Sequence, residues 1–306
     1  MNDVSNIPMN VTSTDLDKAI QEAALLAHVK ISVWAGTRTD ASVLEQLKQQ
    51  HGATGDVGRM VKNTMAGADA PLKATNSAFQ AVRTHHYSLT LPWVSDQNAN
   101  RQTGPRLLPH HLFQRYLTEI GTLKREAIAK LDEFMPEYPS LVQRAKANLG
   151  GMADAIYPSE DEVRASFRIH QDFEPIPDGT GFRGLPENVI ERLSHHLNRR
   201  QQNQITIATG AMWDEVKERV SRLVDRLADE DNKFKEASVR NVRELVTLLP
   251  GWNITNDPRV VEVTNAIQTM LDGVEAVDLR KDTKLRAATA NDAKKITDKL
   301  AKWGIK

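Results

Sequence analysis

The chain contains no cysteine, which excludes disulfides, thiolate metal sites and a cysteine nucleophile together. Aromatic residues make up only 5% of its 306 positions, which suits helices packed by Leu, Ala and Val better than an all-β core. No apolar run approaches the ~20 residues that a membrane-spanning helix needs. Residues 1–10 lack a basic stretch followed by an apolar core, so no secretory signal is expected. These absences predict a soluble intracellular chain with no membrane partner.

Net charge is also missing: 40 Lys and Arg balance 40 Asp and Glu. Global attraction to nucleic acid is therefore not indicated. The balance hides an asymmetry. From Arg280 to Lys306 nine basic residues face three acidic ones, so this tail carries +6 and the rest of the chain −6. A solvated helix explains the tail most simply, and contact with phosphates or an acidic partner is the sharper reading.

Catalytic signatures are absent as well. Gly55-Asp56-Val57-Gly58-Arg59 lacks the G-K-[ST] ending of a phosphate-binding loop. Gly179-Thr180-Gly181-Phe182-Arg183-Gly184 spells G-x-G-x-x-G, but prolines separate it from any strand and no acidic residue follows at the ribose-binding distance. It reads as a loop. No G-x-S-x-G elbow occurs. The histidine pairs His85-His86, His110-His111 and His195-His196 are adjacent, and neighbours on a helix point about 100° apart, which does not chelate one ion. Glu119, Glu126, Asp132 and Glu133 alternate with Lys124, Arg125 and Lys130, as on an exposed, ion-paired helix face. No catalytic residue, metal or cofactor is assigned.

What the sequence does contain is helical periodicity. The spacing predicts one very long helix from Leu185 to Leu227, roughly 60 Å at ~1.5 Å per residue. Its turn from Asn198 to Gln204 is wholly polar and is expected to be exposed, and Gly210 offers a place to bend. Lys233–Leu249 reads as its antiparallel partner, ended by Pro250-Gly251. A helix this long is stabilised by packing rather than by propensity, which also predicts self-association.

The predicted fold is mainly α (α+β): a long antiparallel helical hairpin, plus a helical portion carrying a small antiparallel sheet. Residues 1–13 read as disordered, 14–184 as the helical portion with the sheet, 185–272 as the hairpin with a following helix, and 273–306 as a basic C-terminal helix. A first helix carries Leu16, Ile20, Ala23, Ala24 and Ala27. Strands are expected at Lys30–Trp34, Tyr87–Trp93, Arg106–Leu108 and Phe167–Ile176. Val57, Met60, Val61 and Met65 suit a short helix. A polar loop covers Ser95–Pro105.

Nucleic acid is the best functional class that these residues offer. Arg83, Arg101 and Arg106 surround the Tyr87–Trp93 segment, and an aromatic surface beside arginines holds single strands without sequence preference. Trp93 is the candidate stacking residue, although large apolar residues on strands usually pack inward. Arg199 and Arg200 in the polar turn are the remaining phosphate ligands.

Ile31-Ser32-Val33-Trp34-Ala35-Gly36, Leu91-Pro92-Trp93, Arg106-Leu107-Leu108-Pro109 and Tyr157-Pro158-Ser159 together resemble an uncharacterised family of helical bacteriophage proteins. Pro175-Ile176-Pro177 and Asn241-Val242-Arg243-Glu244-Leu245 fit the same pattern, so the resemblance covers most of residues 30–272. It implies similarity to proteins encoded near MoxR-like AAA+ ATPases or phage DNA-metabolism genes, and so a place in the host cytoplasm. The expected function is that of a non-catalytic accessory protein binding single-stranded nucleic acid in replication or recombination. The alternative is an oligomeric scaffold or adaptor docking on an AAA+ ATPase or a larger phage assembly.

Overall fold

The computed structural model describes residues 20–93, 104–153, 157–177, 182, 184–228 and 236–305. It is mainly helical with a small antiparallel sheet, as the periodicity predicts. The strands are β1 (Ala24–Ser32), β2 (Thr37–Thr39), β3 (Val61–Asn63), β4 (Leu91–Pro92), β5 (Arg106–Pro109) and β6 (Arg168–Glu174). The α-helices are α1 (Ala41–His51), α2 (Ala70–Leu89), α3 (His110–Phe134), α4 (Tyr138–Leu149), α5 (Glu160–Ser166) and α6 (Glu187–Ala228), followed by α7 (Glu236–Trp252), α8 (Pro258–Leu271), α9 (Ala276–Lys281) and α10 (Thr283–Lys302). Strands β4-β5-β1-β6 form one sheet, and β2-β3 form a separate ribbon.

The chain divides into two compact units that interleave along the sequence. The first takes its described residues from Met1–His28, Leu89–Tyr116 and Asp172–Lys306, the second from Val29–Ser88 and Leu117–Gln171.

In the first unit the helical array is built on α6. Ile205, Ala208, Met212, Val216, Val220, Leu223 and Leu227 recur at three or four residues and are all buried, so one face of α6 stays apolar over six turns. Helices α7 and α10 pack along it, and α8 packs on α7. Trp213 and Trp303 meet edge to face across α6 and α10, with ring centroids 6.1 Å apart. Arg219, largely buried, bridges Glu215 at 2.6 Å and Glu244 of α7 at 3.4 Å, and Arg115 at the start of α3 reaches Glu244 at 3.1 Å. Helix α8 begins at Asp257, whose carboxylate accepts from the Arg259 N–H and pairs with its guanidinium at 2.7 Å.

The sheet corrects the sequence reading in three places. Ala24–Ala27 are strand, not helix, because Ala24, Leu25, Leu26 and Ala27 pair with Pro109, Leu108, Leu107 and Arg106. Pairing overrides the helical preference of alanine, and the helix at residues 20–23 ends there. The Tyr87–Trp93 segment continues α2 to Leu89 and contributes only Leu91 and Pro92 to the sheet, opposite Leu107 and Arg106. Proline sits without penalty there because β4 is an edge strand. Val61–Asn63 is a strand paired with Thr37–Thr39 rather than a helix. The alternation around Phe167–Ile176 does form β6, with alternate residues half-buried.

Helix α6 occupies almost the predicted span and runs unbroken through Gly210. The polar turn departs from expectation. Gln201 and Gln204 are buried, and the Gln201 amide donates to the Pro177 carbonyl, which satisfies a polar group that would otherwise be costly to bury. Helix α7 continues through Pro250 to Trp252, since a proline in the last turn loses one hydrogen bond without ending the helix. The basic tail is helix α10 with Thr289, Ala293, Ile296 and Leu300 buried, so one face packs and its charges lie elsewhere. The glycine-rich stretch Gly179–Gly184 and the Ser95–Pro105 loop lie largely outside the described residues.

The second unit is stapled by short-range capping. Ser159 and Glu162 form a reciprocal capping box at the start of α5. Phe79 and Phe167 pack at 5.1 Å and Trp34 meets Tyr138 edge to face at 5.6 Å. Burial pushes the Tyr138 phenol up to about 12. At the start of α1, hydrogen bonds from the Ser42 hydroxyl (2.7 Å) and the Val43 N–H (3.2 Å), with Lys62 at 3.3 Å, hold the Asp40 carboxyl down at about 2. A depressed carboxyl stabilises the fold above its ordinary value of 3.8 and loses that contribution as pH falls toward 2. The N-terminal amides of α1 are therefore expected to lose exchange protection over that interval. A carboxyl-carbon titration of Asp40 with its midpoint near 3.8 would refute this.

Candidate functional site

Two of the predicted phosphate ligands are engaged with backbone carbonyls. Arg83, in the second unit, donates from Nη2 to the Ile31 carbonyl of β1 at 3.2 Å. Arg106, in the first unit, donates from Nε to the Thr90 hydroxyl and from Nη2 to the Thr90 carbonyl, both at 2.7 Å. Its task is local. The last carbonyls of a helix have no partner within it. At the end of α2 the Trp252 indole N–H serves Leu89 O at 3.4 Å, and Arg106 serves Thr90 O. Tyr116, fully buried, has its phenol pushed well above the ordinary value by desolvation, which the nearby Arg106 partly offsets.

Trp93 is 3% exposed, and its backbone N–H donates to the Pro105 carbonyl at 3.2 Å. A base cannot stack on a ring packed in the core, so the stacking role expected of Trp93 is replaced by a packing one. Arg101 lies outside the described residues. Arg199 and Arg200 are exposed on α6. Of the six predicted residues, these two alone are seen with their cations toward solvent among the described residues.

A second arrangement was not legible in the sequence. His85 Nε2 of α2 lies 2.6 Å from Glu119 Oε2 of α3, at one end of an open depression of about 860 Å³ lined by Lys73, Asn76, Gln80 and Thr84. Glu119 is thus half-buried and paired with histidine, rather than part of a solvated charge face. The other charges of that helix do behave as expected: Lys130 pairs with Glu133 at 2.6 Å, and Asp132 with Arg164 at 2.8 Å. Ser88 Oγ stands 3.5 Å from His85 Nδ1, which completes a hydroxyl–imidazole–carboxylate order. The hydroxyl, however, donates to the His85 carbonyl at 2.9 Å, the usual back-bond of a serine inside a helix. The pair fixes the ring but does not activate the serine.

The most distinctive surface belongs to α6. Between Glu187 and Arg200 no side chain is buried, whereas from Gln201 onward every turn contributes to the core. Val189, Ile190, Leu193 and Leu197 are half-exposed along one side of this stretch, and Leu185 just before it is 45% exposed. About four turns of amphipathic helix thus carry an apolar stripe that is only partly covered among the described residues. The periodicity of the sequence marked the helix but did not separate its unburied first third from the remainder.

No family model matches the chain, and no curated protein or solved structure matches it either.

Proposed function

We propose that this chain is a non-catalytic assembly protein, a scaffold or adaptor that uses the first four turns of α6 to hold another protein chain. The observation that carries this reading is the half-buried stripe of Val189, Ile190, Leu193 and Leu197 on a helix whose later turns bury one whole face. An apolar stripe left partly open to solvent and flanked by charged residues is a surface that a partner chain can complete. The resemblance to helical phage proteins encoded near AAA+ ATPases agrees with an accessory role of this kind, with the ATPase or a phage assembly as the larger partner. The test is light scattering over a concentration series. Wild type is expected to rise above the monomer mass, and Leu193→Glu to shift that rise by about tenfold in concentration or more, as for truncated interface centres. A monomer at every concentration, for both chains, removes the reading.

One observation keeps nucleic acid as a second reading. Arg199 and Arg200 are adjacent, exposed and without an ion-pair partner among the described residues. Two phosphate contacts on a single strand give a slope of log affinity against log salt of about −1.4. Arg199→Ala with Arg200→Ala is expected to flatten that slope to near zero in a mobility-shift titration. Absence of any shift at low salt eliminates nucleic acid.

A further inference from the structure

We infer that the chain seated on the α6 stripe is a second copy of this protein, laid antiparallel along the same turns. The inference rests on the assembly reading above and names its partner. Three features lead to it. Ile190, Leu193, Leu197 and Arg200 follow one another at three, four and three residues, the spacing that keeps a seam facing a partner helix. The seam is also polar in a directed way: Glu187 stands at its beginning and Arg200 on the stripe at its end, both exposed. A parallel copy sets Arg200 beside Arg200 and Glu187 beside Glu187, where like charges repel. An antiparallel copy sets each Arg200 against the partner's end that carries Glu187, and two-fold symmetry repeats the contact. A uniformly acidic or basic partner matches only one end of the segment. A second copy matches both. The opposed helix dipoles favour the same orientation.

The third feature is extent. The stripe begins where the buried row of α6 stops, so a partner continues the apolar face of that helix. About four turns from each copy is a small contact, at or below the ~1,200 Å² typical of stable pairs, so the dimer population rises with concentration.

The absence of cysteine makes a direct test available, because any introduced thiol is unique in the chain. Ser194→Cys, near the middle of the segment, is expected to cross-link to itself under mild oxidation. Glu187→Cys alone and Arg200→Cys alone are expected to remain monomeric on a denaturing gel, while an equal mixture of the two cross-links. Self-cross-linking of both end variants together with failure of the mixture overturns the antiparallel arrangement and leaves assembly standing. An oligomer whose formation is indifferent to Leu193→Glu and to Leu193→Ala, with helical content unchanged, shows that the contact lies elsewhere, and overturns this inference alone. A chain that neither cross-links at any of the three positions nor exceeds the monomer mass removes the assembly reading as well.

Discussion

Trp252→Ala is expected to destabilise the first unit by about 3–5 kcal/mol, the range for deleting a buried large aromatic side chain. Two effects add in the same direction. The indole is 3% exposed at the end of α7, so truncation leaves a cavity larger than a leucine in a helical array that cannot collapse freely around it. It also removes the N–H that serves Leu89 O, in a place where that carbonyl has lost its helical partner. The donor contact is long, at 3.4 Å, so its share is the smaller: about 1 kcal/mol, at the low end for a buried acceptor left unsatisfied. Trp252→Phe separates the two, since it keeps most of the bulk and loses the donor. Denaturant midpoints with amide exchange in α7 and α8 give the measurement. A loss for Trp252→Phe equal to that for Trp252→Ala would mean that the hydrogen bond, not the packing, dominates.

Helices α3, α6 and α8 were legible because their apolar residues recur at three and four over many turns, and because Asp257 announces the start of α8. The short strands were not. Leu91-Pro92 and Val61–Asn63 are two and three residues long, too short for alternation to register, and they exist only because β5 and β2 lie alongside. Ala24–Ala27 reads as helix in isolation and is strand because Arg106–Pro109 pairs with it from some eighty residues away.

The candidate site divides along the same line. Exposure of Arg199 and Arg200 follows from their place in a polar run of helix. The same rule failed at the very next residue, Gln201, because a carbonyl from Pro177 reaches it. Arg83 and Arg106 look like phosphate ligands in a list of residues. Whether a guanidinium meets solvent or a backbone carbonyl depends on which helix ends stop beside it, and that is decided by tertiary structure. The His85–Glu119 pair spans 34 residues and two helices, and no local pattern announces it.

Gly36→Ala is expected to cost the second unit about 2–5 kcal/mol, and the comparison with Gly52→Ala shows which term is responsible. Both glycines have left-handed backbones, with φ of 63° and 64°, and an L side chain there costs about 1–2 kcal/mol. At Gly52, the C-cap of α1, an added Cβ meets nothing within 4 Å, so the backbone term stands alone. At Gly36 the Cβ falls 2.5 Å from Leu72 Cδ2 and 3.3 Å from Met65 Cγ. Leu72 is 2% exposed and Met65 fully buried, so neither can yield into solvent. Overpacking of this kind adds about 1–3 kcal/mol. The same turn exposes the Gly36 carbonyl to two donors, the Thr64 N–H at 2.9 Å and the Thr64 hydroxyl at 2.8 Å, which join β1's exit to the β2–β3 ribbon. Displacement of Leu72 should therefore also loosen that joint, and the Thr64 amide should exchange faster in Gly36→Ala but not in Gly52→Ala. Equal denaturant midpoints for the two variants, with Thr64 protection unchanged in both, would mean that the contact with Leu72 contributes nothing and that the cost of each glycine is conformational alone.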